Sequence, residues 1–509
     1  MTAPVLPPHG VYALAIMAFA VVLWVTEIVP FAVTALLVLL LIPAFGIADY
    51  RTVVKAGFGD PIITFFIGVL ILSAAFTRSG LGTRLVHQVL ARVGTRTDRV
   101  LLGLLIVGVL ISMWITKMAV AAMLFPVGAG LLAEAGVERG RSNFGRVVMI
   151  AVAFGPLIGG IATPAGTGAN LVAIAQLKQL AETDVSFGRW MLYGVPACAL
   201  MVPVAWKLLL WLFPPELATL GISDEEARTR ARALGPLTRN ERWTLSIFGV
   251  AIVLWIVAPL VDTWTHGRVA LPAEAIGLGA GLSLFLPGVR VLTWKDAQHD
   301  IDWGGIVLIA AGLSLGAVIF ETGAARWLAW LLLGRVTAVP LLLRPLVIVL
   351  GVSALRLMFS SNTVAAAIIT PILVALAHDL HLDAWSVVAP AAFAATMGFV
   401  LVSQGPTTII PYGAGYFSIK DMAKAGVWMT AAAAICIAIP GAALQLLAPA
   451  PVIASATLPV SDGTTSSKLH LEHAPSLAST KPAGAMHIAV CRVSDGRVDR
   501  NDADSFAAP

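Results

Sequence analysis

The sequence predicts an all-α integral membrane protein made of two inverted repeats, each with a re-entrant hairpin and a broken helix. Three observations lead there. Of 509 residues, 58% are hydrophobic and 12% charged, with a mean hydropathy of +0.90; soluble chains are about one quarter charged. Apolar runs long enough for helices recur along the chain, and they are too long and too uniformly apolar for the alternating strands of a barrel. Finally, "WITKMAVAAMLFP" at residues 114 to 126 returns as "FSSNTVAAAIITP" at 359 to 371.

In order, the apolar segments fall at about 10–29, 31–48, 61–77, 100–113, 118–134, 147–163, 168–177 and 190–213. The second series lies at about 244–261, 272–288, 304–320, 341–358, 364–377, 385–402, 406–417 and 426–448. "MTAPVLPPHG" carries no basic cluster and no cleavage site follows the first run, so that run reads as the first transmembrane helix and not a signal. The charged stretch "SDEEARTRARALGPLTRNER" separates the series and reads as a cytoplasmic linker, taken as 214–243. The repeats are then 1–213 and 244–449, with a polar, disordered tail over 450–509. Two further parallels support duplication: "PFAVTALLVLLLIPAFG" from residue 30 with "PAEAIGLGAGLSLFLPG" from 272, and "GVLILSAAFTRSGLGTRL" from 68 with "GLSLGAVIFETGAARWL" from 312.

Arginines set the orientation. Arg78, Arg84, Arg92, Arg96 and Arg99, then Arg139, Arg141 and Arg146, then the linker arginines, all belong on the cytoplasmic side. The segments at 100–113 and 118–134 begin and end on that side. Their arms reach about 20 to 25 Å against a hydrocarbon core of about 30 Å. A hairpin over about 100–134 that dips in and returns therefore fits better than two full spans. Its counterpart over about 341–377 enters from the other face, giving an inverted repeat of the secondary-transporter type.

After each hairpin the chain is interrupted by helix breakers. "GGIATPAGTGANLVA" begins at Gly159 and "VSQGPTTIIPYGAG" at Val402, giving broken helices over about 147–177 and 385–417. Broken backbone at membrane depth is tolerated where it lines a cavity. Half-helix N-termini there aim N–H groups at an anion, and freed oxygens hold a cation. Small polar residues also let helices pack closely, but two tips and two breaks in matching order point to a site.

Other chemistry is sparse. All nine histidines fall in loops, tails or amphipathic segments, which argues against an enzyme using a buried base. Cys198, Cys436 and Cys491 have no metal or disulfide spacing and read as packing residues. Glu27, Asp60, Glu274, Asp302 and Glu321 sit at segment ends as caps or hinge contacts, and Trp114, Trp190, Trp303 and Trp428 read as interface anchors. The net charge of +5 does not imply nucleic acid, because membrane proteins collect Lys and Arg in cytoplasmic loops.

The stretches "WVTEIVPFAVTALL", "MWITKMAVAAMLFP", "GGIATPAGTGAN", "SSNTVAAAIITP" and "YGAGYFSIKDMAKAG" resemble the divalent anion:sodium symporter family. They spread over nearly all of residues 10 to 448. The resemblance implies an elevator-type homodimer in the cytoplasmic (inner) membrane, surrounded by lipid, that moves a substrate domain past a fixed scaffold. It implies contacts to a small-molecule anion from Thr116, Lys117, Ser361, Asn362, Thr363, Pro406 and Thr407. It implies cation contacts from Thr163, Gly166, Thr167, Asn170, Ser361, Asn362, Gly405 and Thr408, with sodium at the second hairpin and no other cofactor. Two departures stand out: Thr116-Lys117-Met118 replaces the family's Ser-Asn-Thr in the first hairpin, and Gly405-Pro406-Thr407-Thr408 replaces its Thr-Pro-Pro-Asn in the second break. Relative to some members the chain lacks a helix before the repeat, which would put both termini outside.

The functional expectation is secondary transport of small divalent anions, C4-dicarboxylates first and sulfate second. Lys117 raises two alternatives: a fixed charge that excludes the first sodium and favours sodium-free exchange, or a side chain that merely snorkels to water. An anion channel or sensor on the same fold is the reading from another class.

Overall fold

In the computed structural model, residues 5–219, 225, 229, 232–266, 268, 271–333, 339, 340 and 343–447 are described; the expected tail over 450–509 lies outside them. The described part is all helical apart from one isolated bridge between Arg96 and Thr219. Ten helices form the first repeat: α1 (Pro8–Thr26), α2 (Phe31–Ala44), α3 (Tyr50–Phe58), α4 (Ile62–Arg78), α5 (Leu81–Val93), α6 (Thr97–Ser112), α7 (Lys117–Glu134), α8 (Asn143–Gly159), α9 (Gly168–Ala181) and α10 (Phe187–Leu212). The same order follows in α11 (Arg239–Trp264), α12 (Ala273–Ser283), α13 (Trp294–Asp300), α14 (Trp303–Glu321), α15 (Ala324–Leu333), α16 (Arg344–Arg356), α17 (Asn362–Asp379), α18 (Ala384–Thr396), α19 (Pro406–Tyr412) and α20 (Ile419–Leu447). Seven of the described helices are long and apolar enough to cross a membrane, and α3 with α4 makes an eighth bent by 41°.

Local chemistry explains the ends. Thr238 and Glu241 close a capping box that starts α11 at Arg239, five residues inside the stretch assigned to the linker. The expected breaks are wider than drawn, because α8 stops at Gly159 and α18 at Thr396. The hairpin arms are unequal: α6 and α16 have 16 and 13 residues, whereas α7 and α17 have 18 each and reach about 27 Å. Length alone would let α7 and α17 span. Their N-terminal ends, however, meet both breaks inside the molecule, which is the geometry of hairpin tips.

Small residues bring the repeats together. A Cβ on Gly68 would lie 2.4 Å from the Gly277 backbone, so α4 and α12 touch backbone to backbone. Gly108 meets Gly155 in the same manner within the first repeat, where α6 packs on α8. Each broken helix is shared between repeats: α17 packs along α9, and α19 packs against α7 and α8. Cys198 and Cys436 are buried packing residues, and Cys491 lies outside the described residues. Trp190 differs from expectation. It is fully buried, packs edge-on to Trp385 and Phe393, and donates from Nε1 to the Ile161 carbonyl at 2.9 Å, so it belongs to the core and not to an interface.

Candidate functional site

Two turns and two breaks converge. Thr116 and Lys117 from the first tip, Ser360 to Thr363 from the second, Gly166 to Gly168 from the first break and Gln404 to Thr408 from the second line one open cleft of about 380 Å³. The opposite wall comes from Pro30 to Ala32 at the start of α2, Phe66, and Asp302 to Leu308 at the start of α14. Several helices thus begin at the cleft, and their free N–H groups and positive dipole ends favour an anion.

The first break is braced from within. Asn170 donates from Nδ2 to the carbonyls of Gly160 and Thr163, both at 2.8 Å, and its Oδ1 is buried without a hydrogen-bond partner. Thr163 donates to the Met113 carbonyl, tying the break to the first hairpin. Gly166 is required because a Cβ there would lie 2.4 Å from the Gly160 carbonyl oxygen. Asn170 Oδ1 and the Thr167 hydroxyl are neutral oxygens of the kind a hard monovalent cation takes, so this break fits sodium.

The second break is braced the same way by Thr408, whose hydroxyl bonds the carbonyls of Val402 at 2.7 Å and Gly405 at 2.8 Å. Beside it sits a group the sequence reading passed over. Arg356 is fully buried at the end of α16, donating from Nε to Ala395 O at 3.0 Å and from Nη2 to Gln404 O at 2.7 Å; it also bonds Phe359 O and, from Nη2, Asn362 Oδ1. Gln404 Oε1 in turn accepts the amides of Val400 and Leu401 at 3.0 and 2.9 Å. An arginine ending an apolar hairpin arm was the available signal, since ionisable groups at membrane depth are functional by default.

Two of the expected site residues have partners here. Asn362, expected to ligate sodium at the second hairpin, has its carboxamide oxygen bonded to the Arg356 guanidinium. Lys117 lies between the two breaks, its Cδ 3.6 Å from a Cβ built on Gly160 in the first. Its Nζ crosses to the second repeat and donates to Thr396 O at 2.8 Å, and the side chain is only 6% exposed, which rules out snorkelling to bulk water. The remaining expected contacts meet at the cleft: Ser361 caps α17 by accepting from Val364 N at 3.4 Å, Thr363 approaches Gly168, and Gly405, Pro406 and Thr407 line the wall. Asp302 caps α14 through Gly305 N at 2.8 Å, and Asp60 caps α4 through Ile62 N at 2.9 Å, both as expected.

The sodium:sulfate symporter transmembrane region matches residues 2–447. The chain belongs to that family. Among its relatives, the sodium-dependent dicarboxylate transporter SdcS of Staphylococcus saprophyticus is 30% identical, covering 85% of this chain and 86% of the relative. SdcS of Staphylococcus aureus is 29% identical, covering 85% of each. The crystal structure of the Alcanivorax borkumensis YdaH transporter shares the fold, with a TM-score of 0.54 at 15% identity, covering 78% of this chain and 88% of that chain. Membership makes the chain a multi-pass membrane transporter and not an enzyme.

Proposed function

We propose that this protein is a secondary active carrier of small divalent anions, C4-dicarboxylates foremost, across the cytoplasmic membrane, with sodium as coupling ion. The observation that carries the reading is the cleft where both hairpin tips and both breaks meet, rich in helix starts and hydroxyls, with Lys117 in its wall. The donors stand on two sides of the cleft, one set from each hairpin. The relatives near 30% identity are named for sodium-dependent dicarboxylate transport, which supports sodium coupling over the sodium-free exchange that Lys117 alone suggested. Asn170 and Thr167 are the residues we assign to the cation. The hairpins and breaks move past the wall formed by α2, α4 and α14, elevator fashion, and two such chains pair in the lipid bilayer. Counterflow in proteoliposomes tests this: labelled succinate should accumulate transiently against unlabelled succinate, and flux that never saturates would instead indicate a channel.

A further inference from the structure

Lys117 and Arg356 come from different repeats, yet they end on consecutive carbonyls, Thr396 and Ala395, at the last turn of α18. Cations are favoured at a helix C-terminus, and that contact accounts for one of the three ammonium donors of Lys117. Lys117 lines the cleft, and two of its ammonium donors have no hydrogen-bond partner among the described residues. None of the hydrogen bonds found for either cation among the described residues goes to a carboxylate. Asp302 is the one acid among the cleft-lining residues, and it caps its own helix. Buried charge without a counter-ion is costly, and a doubly charged anion in the cleft offsets it.

The Arg356 bond also decides what Asn362 offers. With Oδ1 accepting from the guanidinium, the carboxamide turns its NH2 end to other partners and serves an anion instead of a cation. The first break is the opposite case, because its carboxamide NH2 is used and its oxygen is free. Resting on the transport reading above, we propose that each dianion is accompanied by one sodium ion at the first break, while Lys117 and Arg356 act as fixed countercharges in place of a second sodium at the second break. Lys117 contacts the anion; Arg356 is a positioning residue that acts through Asn362.

Equilibrium binding of labelled succinate to the full-length protein in nanodiscs, at rising sodium with choline as replacement, tests this. A plot of log affinity against log sodium has a slope of one in the native protein. Lys117→Gln keeps that slope but loses about tenfold or more in succinate affinity, the usual effect of removing a charged hydrogen bond. Arg356→Gln frees the Asn362 oxygen, and the slope rises above one, which a purely structural role would not produce. A native slope of two or zero overturns the proposal, and so does unchanged affinity in Lys117→Gln or a slope of one in an Arg356→Gln protein that binds succinate. Binding of neither succinate nor sulfate at any sodium concentration would instead overturn the transport reading itself.

Discussion

Lys117 Nζ donates to the carbonyl oxygen of Thr396 at 2.8 Å, so the tip of the first hairpin is tied to the break of the second repeat. The second tip makes the reciprocal approach, since a Cβ on Gly168 in the first break would lie 3.3 Å from Thr363 Oγ1. Gly168→Cys paired with Thr363→Cys should therefore cross-link under mild oxidation, because the γ position of residue 363 stands within reach of a Cβ at 168. Failure of the folded double variant to cross-link, read on a gel, would contradict the crossover of tips and breaks.

The backbone contact between α4 and α12 predicts a sharp contrast between two glycines. Gly68→Ala places a Cβ 2.4 Å from Gly277 backbone atoms that cannot rotate away, whereas nothing lies within 4 Å of a Cβ at Gly279. Overpacking of this kind costs about 1 to 3 kcal/mol. The thermal midpoint in detergent should fall for Gly68→Ala and stay close to native for Gly279→Ala.

Helix α11 has 26 residues and extends about 39 Å, more than the hydrocarbon thickness. Cysteines at Ala233 and Thr265, before and after it, should accordingly label from opposite sides of intact vesicles, Ala233 from the cytoplasm. Labelling of both from one side would remove the inverted repeat.

An acid-sensitive cap holds the start of α8. Burial pushes the Glu216 carboxyl up, but bonds from Ser142 and from the amides of Phe144 and Asn143 outweigh it and hold the group below its usual value. A depressed folded-state value means that the cap stabilises fully above the unfolded value of about 4.3 and is lost as pH falls through the folded one. Glu216→Gln should flatten the acid side of the midpoint-versus-pH curve and leave its neutral side nearly parallel.

Much of the element order is legible in the sequence, because apolar length and breakers are local signals. The segments expected at 31–48, 61–77 and 118–134 are α2, α4 and α7, and the breaks fall at Thr163 and Gly405. Partners are a different matter. The sequence places Lys117 at a tip but carries no information that its ammonium reaches Thr396, 279 residues away. Arg356 was hidden for a related reason: its partners Ala395 and Gln404 come together only when the hairpin folds onto the broken helix. Trp190 opens an apolar run, the position of an interface anchor, yet aromatic neighbours from α18 enclose it.

The most direct test of the account is uptake of labelled succinate into proteoliposomes under an inward sodium gradient. It predicts saturable accumulation above the external concentration that collapses when the gradient is dissipated. Accumulation that is equally strong without sodium, or no saturable uptake of succinate under any gradient, would contradict it.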